Sequence, residues 1–473
     1  MTRQHAIDLA RQDADNGQLA TTLARRIAWR TESDLGPDAP PATHAALLGY
    51  LRDEMQPCLE GLGFQVSLHA NPVPGGGPFL IARRIEDAAL PTVLTYGHGD
   101  VVNGQAAQWR EGLSPWTLTP EGDRWYGRGT ADNKGQHSVV LGALAHVLQL
   151  RGQRLGYNLT VLLEMGEEAG SPGLAGFCAQ QREALRADLF LASDGPRVHA
   201  ERPTLFLGSR GALNFSLKVR PRPRAYHSGN WGGVLSNPAV RLSHALACLI
   251  GPRGRVLVPA LLPPTPPERL RQALHDVPIG GGADDPALSP GWGEPSLSPA
   301  EQLVGWNTLE ILSLGAGSPT RPINAIPASA VAHCQLRFVV GTDHANALAH
   351  LRAHLDAQGF NDVLVEPGMA CAATRLDLDN PWVDWALASL QASTGKPPVL
   401  LPNLAGSLPN DIFADQLGLP TLWVPHSYPA CAQHAPNEHL LASVAREGLA
   451  IMAGLFWDLG EPDAPWEAGR VAR

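Results

Sequence analysis

The 473-residue sequence has no Cys-x-x-Cys pair, no excess of basic residues, no long uncharged apolar run and no visible internal repeat. Each absence excludes something. Six cysteines (Cys58, Cys178, Cys248, Cys334, Cys371 and Cys431) scattered without close pairing suggest neither a disulfide framework nor a thiolate zinc site, and read as buried thiols in a reducing compartment. A formal net charge of −9 lacks the positive footprint that nucleic acid or an anionic membrane would require. No stretch reaches the ~18 uncharged apolar residues of a membrane span. The first thirty residues carry Asp8, Arg11, Asp13, Asp15, Arg25 and Arg26 without an apolar signal core, so no secretory signal is expected there. Together these features imply a cytoplasmic protein acting on a small molecule, with no nucleic-acid or membrane partner.

What is present is an ordinary globular composition, 44% hydrophobic and 17% charged, in a chain longer than one hydrophobic core usually serves. Two domains are expected. Helical spacing marks Leu19, Leu23 and Ile27, then Ala42 to Met55, while Phe64, Val66 and Leu68 alternate as in a half-buried strand. Strands are predicted at Phe79 to Ala82, Thr92 to Tyr96, Leu159 to Leu163 and Leu189 to Ala192, with a long helix from Gly135 to Leu150. This alternation is that of an α/β domain.

Past Gly208 the order becomes strand Leu213 to Val219, helix Pro238 to Leu249, strands Leu309 to Leu312 and Ala330 to Val339, helix Ala345 to Leu355, and strand Val363 to Val365. That βαββαβ order is ferredoxin-like. A Pro- and Gly-rich stretch from Pro259 to Pro299, containing Gly280-Gly281-Gly282, interrupts it and reads as a long irregular insertion. The α/β character resumes with helix Trp382 to Ser393, strand Thr421 to Val424 and a helix from Leu441 to Trp457. The expected division is therefore a catalytic domain in two parts, residues 1–208 and 368–473, with a lid at 209–367 inserted between them.

The chemistry gathers where predicted strands end or helices begin: His98 with Asp100, Asp132, Glu167 with Glu168, Asp194, and His434. Open α/β sheets place their ligands at such ends. Acids directly behind buried apolar strands are costly unless paired or bound to metal. Imidazoles, several carboxylates and a spare acid are the parts that a two-metal hydrolytic site needs.

The segments Gly97-His98-Gly99-Asp100-Val101-Val102, Gly127-Arg128-Gly129-Thr130-Ala131-Asp132-Asn133-Lys134-Gly135, Glu164-Met165-Gly166-Glu167-Glu168, Ser193-Asp194-Gly195 and His434-Ala435-Pro436-Asn437-Glu438 resemble, in order, the motifs of the co-catalytic zinc exopeptidases. That family includes carnosinase, carboxypeptidase G, aminoacylase and succinyl-diaminopimelate desuccinylase. The resemblance implies an α/β catalytic domain around a mixed sheet, with an inserted ferredoxin-like α+β lid. It implies one zinc on His98, Asp132 and Asp194 and a second on Asp132, Glu168 and His434, cobalt or manganese being acceptable substitutes. Asp100 would orient His98. Glu167 would be the general base that moves a proton from the attacking water to the leaving nitrogen. The peptide bond after Asp132 is commonly cis in the family.

In the lid, Ala225-Tyr226-His227-Ser228-Gly229-Asn230-Trp231-Gly232-Gly233 resembles the segment whose histidine reaches a partner subunit's active site to stabilise the oxyanion, which implies a homodimer. Asn324 and Arg337 fall at lid positions that contact substrate. Gly406 and Ser407 belong to a substrate loop of Arg-Glu-Gly-Gly-Ser-Ile-Pro type in carnosinase-like members; here it reads Asn403-Leu404-Ala405-Gly406-Ser407-Leu408-Pro409, without the charged pair. Asp411 could supply a compensating charge. The expected activity is hydrolysis of a small peptide, with an N-acyl amino acid as the alternative substrate. A non-catalytic binding protein of the same fold is a weaker reading, and the glycines around Gly127 and Gly129 do not make a nicotinamide dehydrogenase, because the third glycine and the strand-to-helix phosphate turn are absent.

Overall fold

A computed structural model describes residues 2–36, 39–281 and 285–467. Gly282 of the triple-glycine run lies outside them. Eight strands form the main sheet, in the order Gln65–His69, Phe79–Arg84, Asn158–Glu164, Thr92–His98, Leu189–Ala192, Thr421–Trp423, Thr204–Phe206, Val399–Leu401. The four central strands, Asn158–Glu164 to Thr421–Trp423, run parallel to one another, while their flanks include antiparallel pairs, so the sheet is mixed. Their carboxyl ends consequently share one edge.

Period-two alternation splits the strands between two cores. Leu80, Ala82, Val93, Leu159, Val161, Leu163, Leu189 and Leu191 face the helices Arg3–Asp15, Lys134–Leu150, Pro381–Thr394 and Ala442–Asp458. Phe79, Ile81, Leu94, Tyr96, Leu162, Phe190 and Ala192 face the opposite side, where Leu174, Phe177 and Phe413 cover them. Each Val, Leu, Ile or Phe side chain among them, fully buried, contributes about 1.5–3 kcal/mol. The continuous apolar runs follow from burial on both faces.

A second, antiparallel sheet has the order Thr308–Gly315, Ala330–Phe338, Gly211–Val219, Leu364–Cys371. Its inward residues, among them Phe215, Leu217, Cys334 and Leu336, pack with Leu242 and Leu246 of helix Pro238–Leu249 and Leu351 and Leu355 of helix Ala347–Ala357. Asn237 starts the first of these helices by accepting from Ala239 N at 2.9 Å, with Pro238 at the first helical position. Two adjacent crossings join the sheets: Thr374 N donates to Ser209 O at 3.0 Å and Leu376 N to Leu207 O at 2.8 Å. At Gly208 a Cβ would lie 2.2 Å from Thr374 O, so the close approach of the two segments requires glycine.

The Pro- and Gly-rich stretch is less irregular than its composition suggests. It contains helix Glu268–Leu274, whose Leu270 and Leu274 join the main-sheet core together with Ala300 and Val304 of helix Pro299–Gly305. A capping box between Ser298 and Glu301 starts the latter helix. Among the described residues, no helix is long and apolar enough to cross a membrane.

Candidate metal centre and substrate cavity

Strand Thr92–His98 ends on a buried imidazole. His98 Nδ1 lies 3.0 Å from the carbonyl of Asp100, which directs Nε2 towards Asp132 Oδ1 at 2.9 Å and Asp194 Oδ2 at 3.6 Å. The other oxygen of Asp132 meets His434 Nε2 at 3.1 Å, and the same nitrogen lies 2.9 Å from Glu168 Oε2. Asp132 therefore stands between two imidazoles, one oxygen towards each. His98, Asp132 and Asp194 form one group and Asp132, Glu168 and His434 another, with donor atoms in each lying within 4.8 Å of one another.

Electrostatics make the cluster unsustainable without positive charge. Burial, followed by the charge on Asp132, raises Glu168 to about 7, and the same two causes raise Asp194 to about 6. Burial drives Glu167 well above the ordinary carboxylate value, with Asp194 and Asp132 adding to it and His98 opposing. Burial also opposes a charge on His98, but hydrogen bonds to Asp100 and Asp132 outweigh it and raise the imidazole. Hydrogen bonds to Asp132 and Glu168 lift His434 to about 10. Protons or metal ions have to neutralise the carboxylates. Asp194 Oδ2 is buried and accepts no hydrogen bond, and an open carboxylate oxygen beside an imidazole in a nitrogen-and-oxygen donor set suits a divalent cation.

The loops that carry these candidate ligands are themselves held. Asp100 accepts from the backbone N–H of Glu167 at 3.2 Å and of Glu168 at 3.1 Å, so its carboxylate anchors the acidic turn, while its carbonyl is the nearer partner of His98. Glu164, raised to about 7 by burial, receives the Tyr96 hydroxyl at 2.5 Å and the Ser171 hydroxyl at 3.0 Å behind the same turn. The Asp132–Asn133 peptide is cis. Glu438 accepts from the N–H groups of Gly129, Ala131 and Asp132 at 2.9–3.2 Å and pairs with Arg128 at 2.8 Å. His434 has a φ of 61°, a left-handed value rare outside glycine. Gln433 donates to Asp132 Oδ2 from the cavity side. Sequence reasoning assigned no role to Glu438, Arg128, Gln433 or Glu164, although three of them sit within the quoted motifs.

A cavity of about 760 Å³ opens onto the cluster between the two sheets. Asp132, Glu167, Glu168, Asp194 and His434 line it, and so do Arg337, Gly406, Ser407 and Asp411. Arg337 reaches Ser407 Oγ at 2.6 Å and Gln335 Oε1 at 2.7 Å. His227 and Asn324 are not among the lining residues. Both are exposed, on and beside the short pairing of Tyr226–His227 with Ala325–Ile326, where Ser228 N donates to Asn324 O at 2.9 Å.

Removing Glu438 would leave Arg128 as a buried, unpaired cation, since both side chains are about 1% exposed. Glu438→Ala should therefore lower the unfolding free energy by ~3–5 kcal/mol, the usual cost of breaking a buried pair on one side. Urea denaturation checks this, and a loss below ~1 kcal/mol would contradict the role given to Glu438.

The model of the peptidase family M20/M25/M40 matches residues 94–458. The Beta-Ala-His dipeptidase of Mus musculus is 34% identical over 194 residues, 40% of this chain and 38% of the mouse protein. The cysteinylglycine-S-conjugate dipeptidase of Corynebacterium striatum is 31% identical over 265 residues, 54% of this chain and 56% of that protein. The alignments thus span about a third to a half of these relatives. The structures of human carnosine dipeptidase 1 (TM-score 0.77, 20% identity, 96% of this chain and 99% of that one) and of the di-peptidase Dug1p from Saccharomyces cerevisiae (TM-score 0.78, 22% identity, 97% and 100%) share the fold over almost the whole chain. The match covers well over half of the sequence, and the chain belongs to the peptidase family M20/M25/M40.

Proposed function

We propose that this chain is a metal-dependent hydrolase that cleaves the amide bond of a dipeptide or another small peptide, with Glu167 as general base. The carrying observation is the pair of ligand groups sharing Asp132, with Glu167 on the wall of the same cavity. The dipeptidase names of the relatives support a peptide substrate rather than an N-acyl amino acid. The proposal includes the division into a catalytic unit, residues 1–208 and 368–473, and a lid at 209–367.

His98, Asp132 and Asp194 would hold one zinc ion, and Asp132, Glu168 and His434 the other. The ions, when bound, would polarise the scissile carbonyl and lower the pKa of the attacking water. Glu167, whose Oε2 is 4.0 Å from His98 Nε2, would accept the proton of that water and return it to the leaving nitrogen. Asp100 would hold the turn that aims Glu167 and Glu168. Arg337 and Ser407, already hydrogen-bonded to each other, would bind the substrate carboxylate beside the Gly406 backbone.

His227 would serve a partner subunit's site, assisted by Asn324. Its Nδ1 accepts from Gly229 N at 3.1 Å, which leaves the proton on Nε2, the atom free to donate to an oxyanion. Exposed Trp231 and Ile323 beside it, and the unpaired edge of strand Thr308–Gly315 with exposed Leu312 and Leu314, support pairing of two lids.

Glu167→Gln removes the proton acceptor and leaves the ligands in place. Turnover of a dipeptide should fall at least ~10²-fold while bound metal stays at the parent level. Retained activity, or lost metal, would refute the assignment. A mixed dimer of a His227→Ala chain and a Glu167→Gln chain should contain one intact site, and so recover activity that neither parent dimer has. Verified mixed dimers without rescue would rule the shared site out.

A further inference from the structure

The cavity holds more charge than the proposed chemistry uses. Of the acids on its wall, Asp132, Glu167, Glu168 and Asp194 belong to the metal centre; Asp411 is the fifth. Arg337 is the cation the wall offers besides His434. A dipeptide carries one carboxylate and one ammonium, and a site that takes both needs a cation and an anion outside the catalytic set. Leu404 and Ala405, in the substrate loop, supply no charge, although both line the cavity.

Asp411 has the surroundings of an acid awaiting a cation. Its Oδ2 accepts a long hydrogen bond from Ala372 N, at 3.5 Å. Burial raises its pKa, and backbone N–H groups of Ala372 and its own turn oppose that. The titratable groups facing it are Cys371, itself pushed up chiefly by burial, and Asp415, a second acid on the same turn. Ile412 and Leu408 flank it with apolar surface, which strengthens any charge pair formed there.

Resting on the peptidase reading above, we infer that Asp411 is a specificity-determining residue that binds the substrate's ammonium group, in the same cavity as the carboxylate site formed by Arg337 and Ser407. The same chemistry could be presented by a free amino terminus or by a lysine-like side chain. The enzyme would then select against capped or deaminated substrates, whose neutral ends leave Asp411 buried and unpaired.

The test measures binding to the metal-loaded Glu167→Gln protein, in which nothing is cleaved, using Ala-Ala and its isostere propionyl-alanine, which differ in the ammonium group. Ala-Ala should bind about 10- to 100-fold more tightly, and Asp411→Asn should bring that ratio close to one. Asp411→Ser provides the same test should the asparagine variant fail to fold, and Asp411→Glu, which keeps the charge, should keep the preference. Propionyl-lysine and propionyl-norleucine separate the sources: preference for the lysine compound in the parent protein, lost in Asp411→Asn, assigns the side-chain ammonium, and no preference assigns the amino terminus. A preference unchanged in Asp411→Asn and Asp411→Ser, or a parent protein that shows neither the Ala-Ala nor the lysine preference, overturns the inference. Dipeptide hydrolysis by the unmodified protein is measured separately, so the loss of this subsite and the loss of the peptidase reading give different results.

Discussion

Asp132 and the five side chains around it cannot share one desolvated space as anions and neutral imidazoles unless positive charge joins them. Each carboxylate there is shielded from water and near another, a combination that disfavours ionisation through both desolvation and like-charge repulsion. Asp132 escapes because burial, which would raise its pKa, is outweighed by hydrogen bonds from His434 and His98. Its two oxygens are committed to different imidazoles, one to His98 and one to His434.

The fold delivers this arrangement by bringing the ends of parallel strands to one edge and fixing the loops that leave them. His98 terminates its own strand, Asp194 follows two residues after another, and the Glu167-Glu168 turn is pinned through its N–H groups to Asp100. Glu438 does the equivalent for the Asp132 loop. The second sheet closes the cavity from the other side and contributes Arg337, while the crossing at Gly208 and Ser209 also ties down the cavity-lining loop at 404–409 through Leu404 N to Gly208 O at 2.8 Å. Structure and chemistry meet at the same few backbone donors.

The parts of this arrangement legible in sequence are those where chemistry punctuates a pattern. Apolar runs such as Val161-Leu162-Leu163 and Leu189-Phe190-Leu191-Ala192 mark strands buried on both faces, and the acids behind them stand out because burial makes them costly. Strands Thr204–Phe206 and Val399–Leu401 are three residues long, too short for any periodicity to register. Helix Arg3–Asp15 was missed because Ala6, Ile7 and Ala10 alone form its buried stripe, and Glu268–Leu274 because prolines and glycines surround it. The Arg128–Glu438 pair joins residues 310 positions apart, a relation that no local pattern encodes. Asp411 was visible only as an acid near a loop lacking its usual charges; its place on the cavity wall required the fold.

The central claim is that Asp132 sits between two cations. Anomalous X-ray scattering at the zinc edge, from crystals grown with zinc, addresses it directly. Two peaks should flank the Asp132 carboxylate, one bounded by His98 and Asp194 and the other by Glu168 and His434. A single peak, or zinc bound away from Asp132, would contradict it.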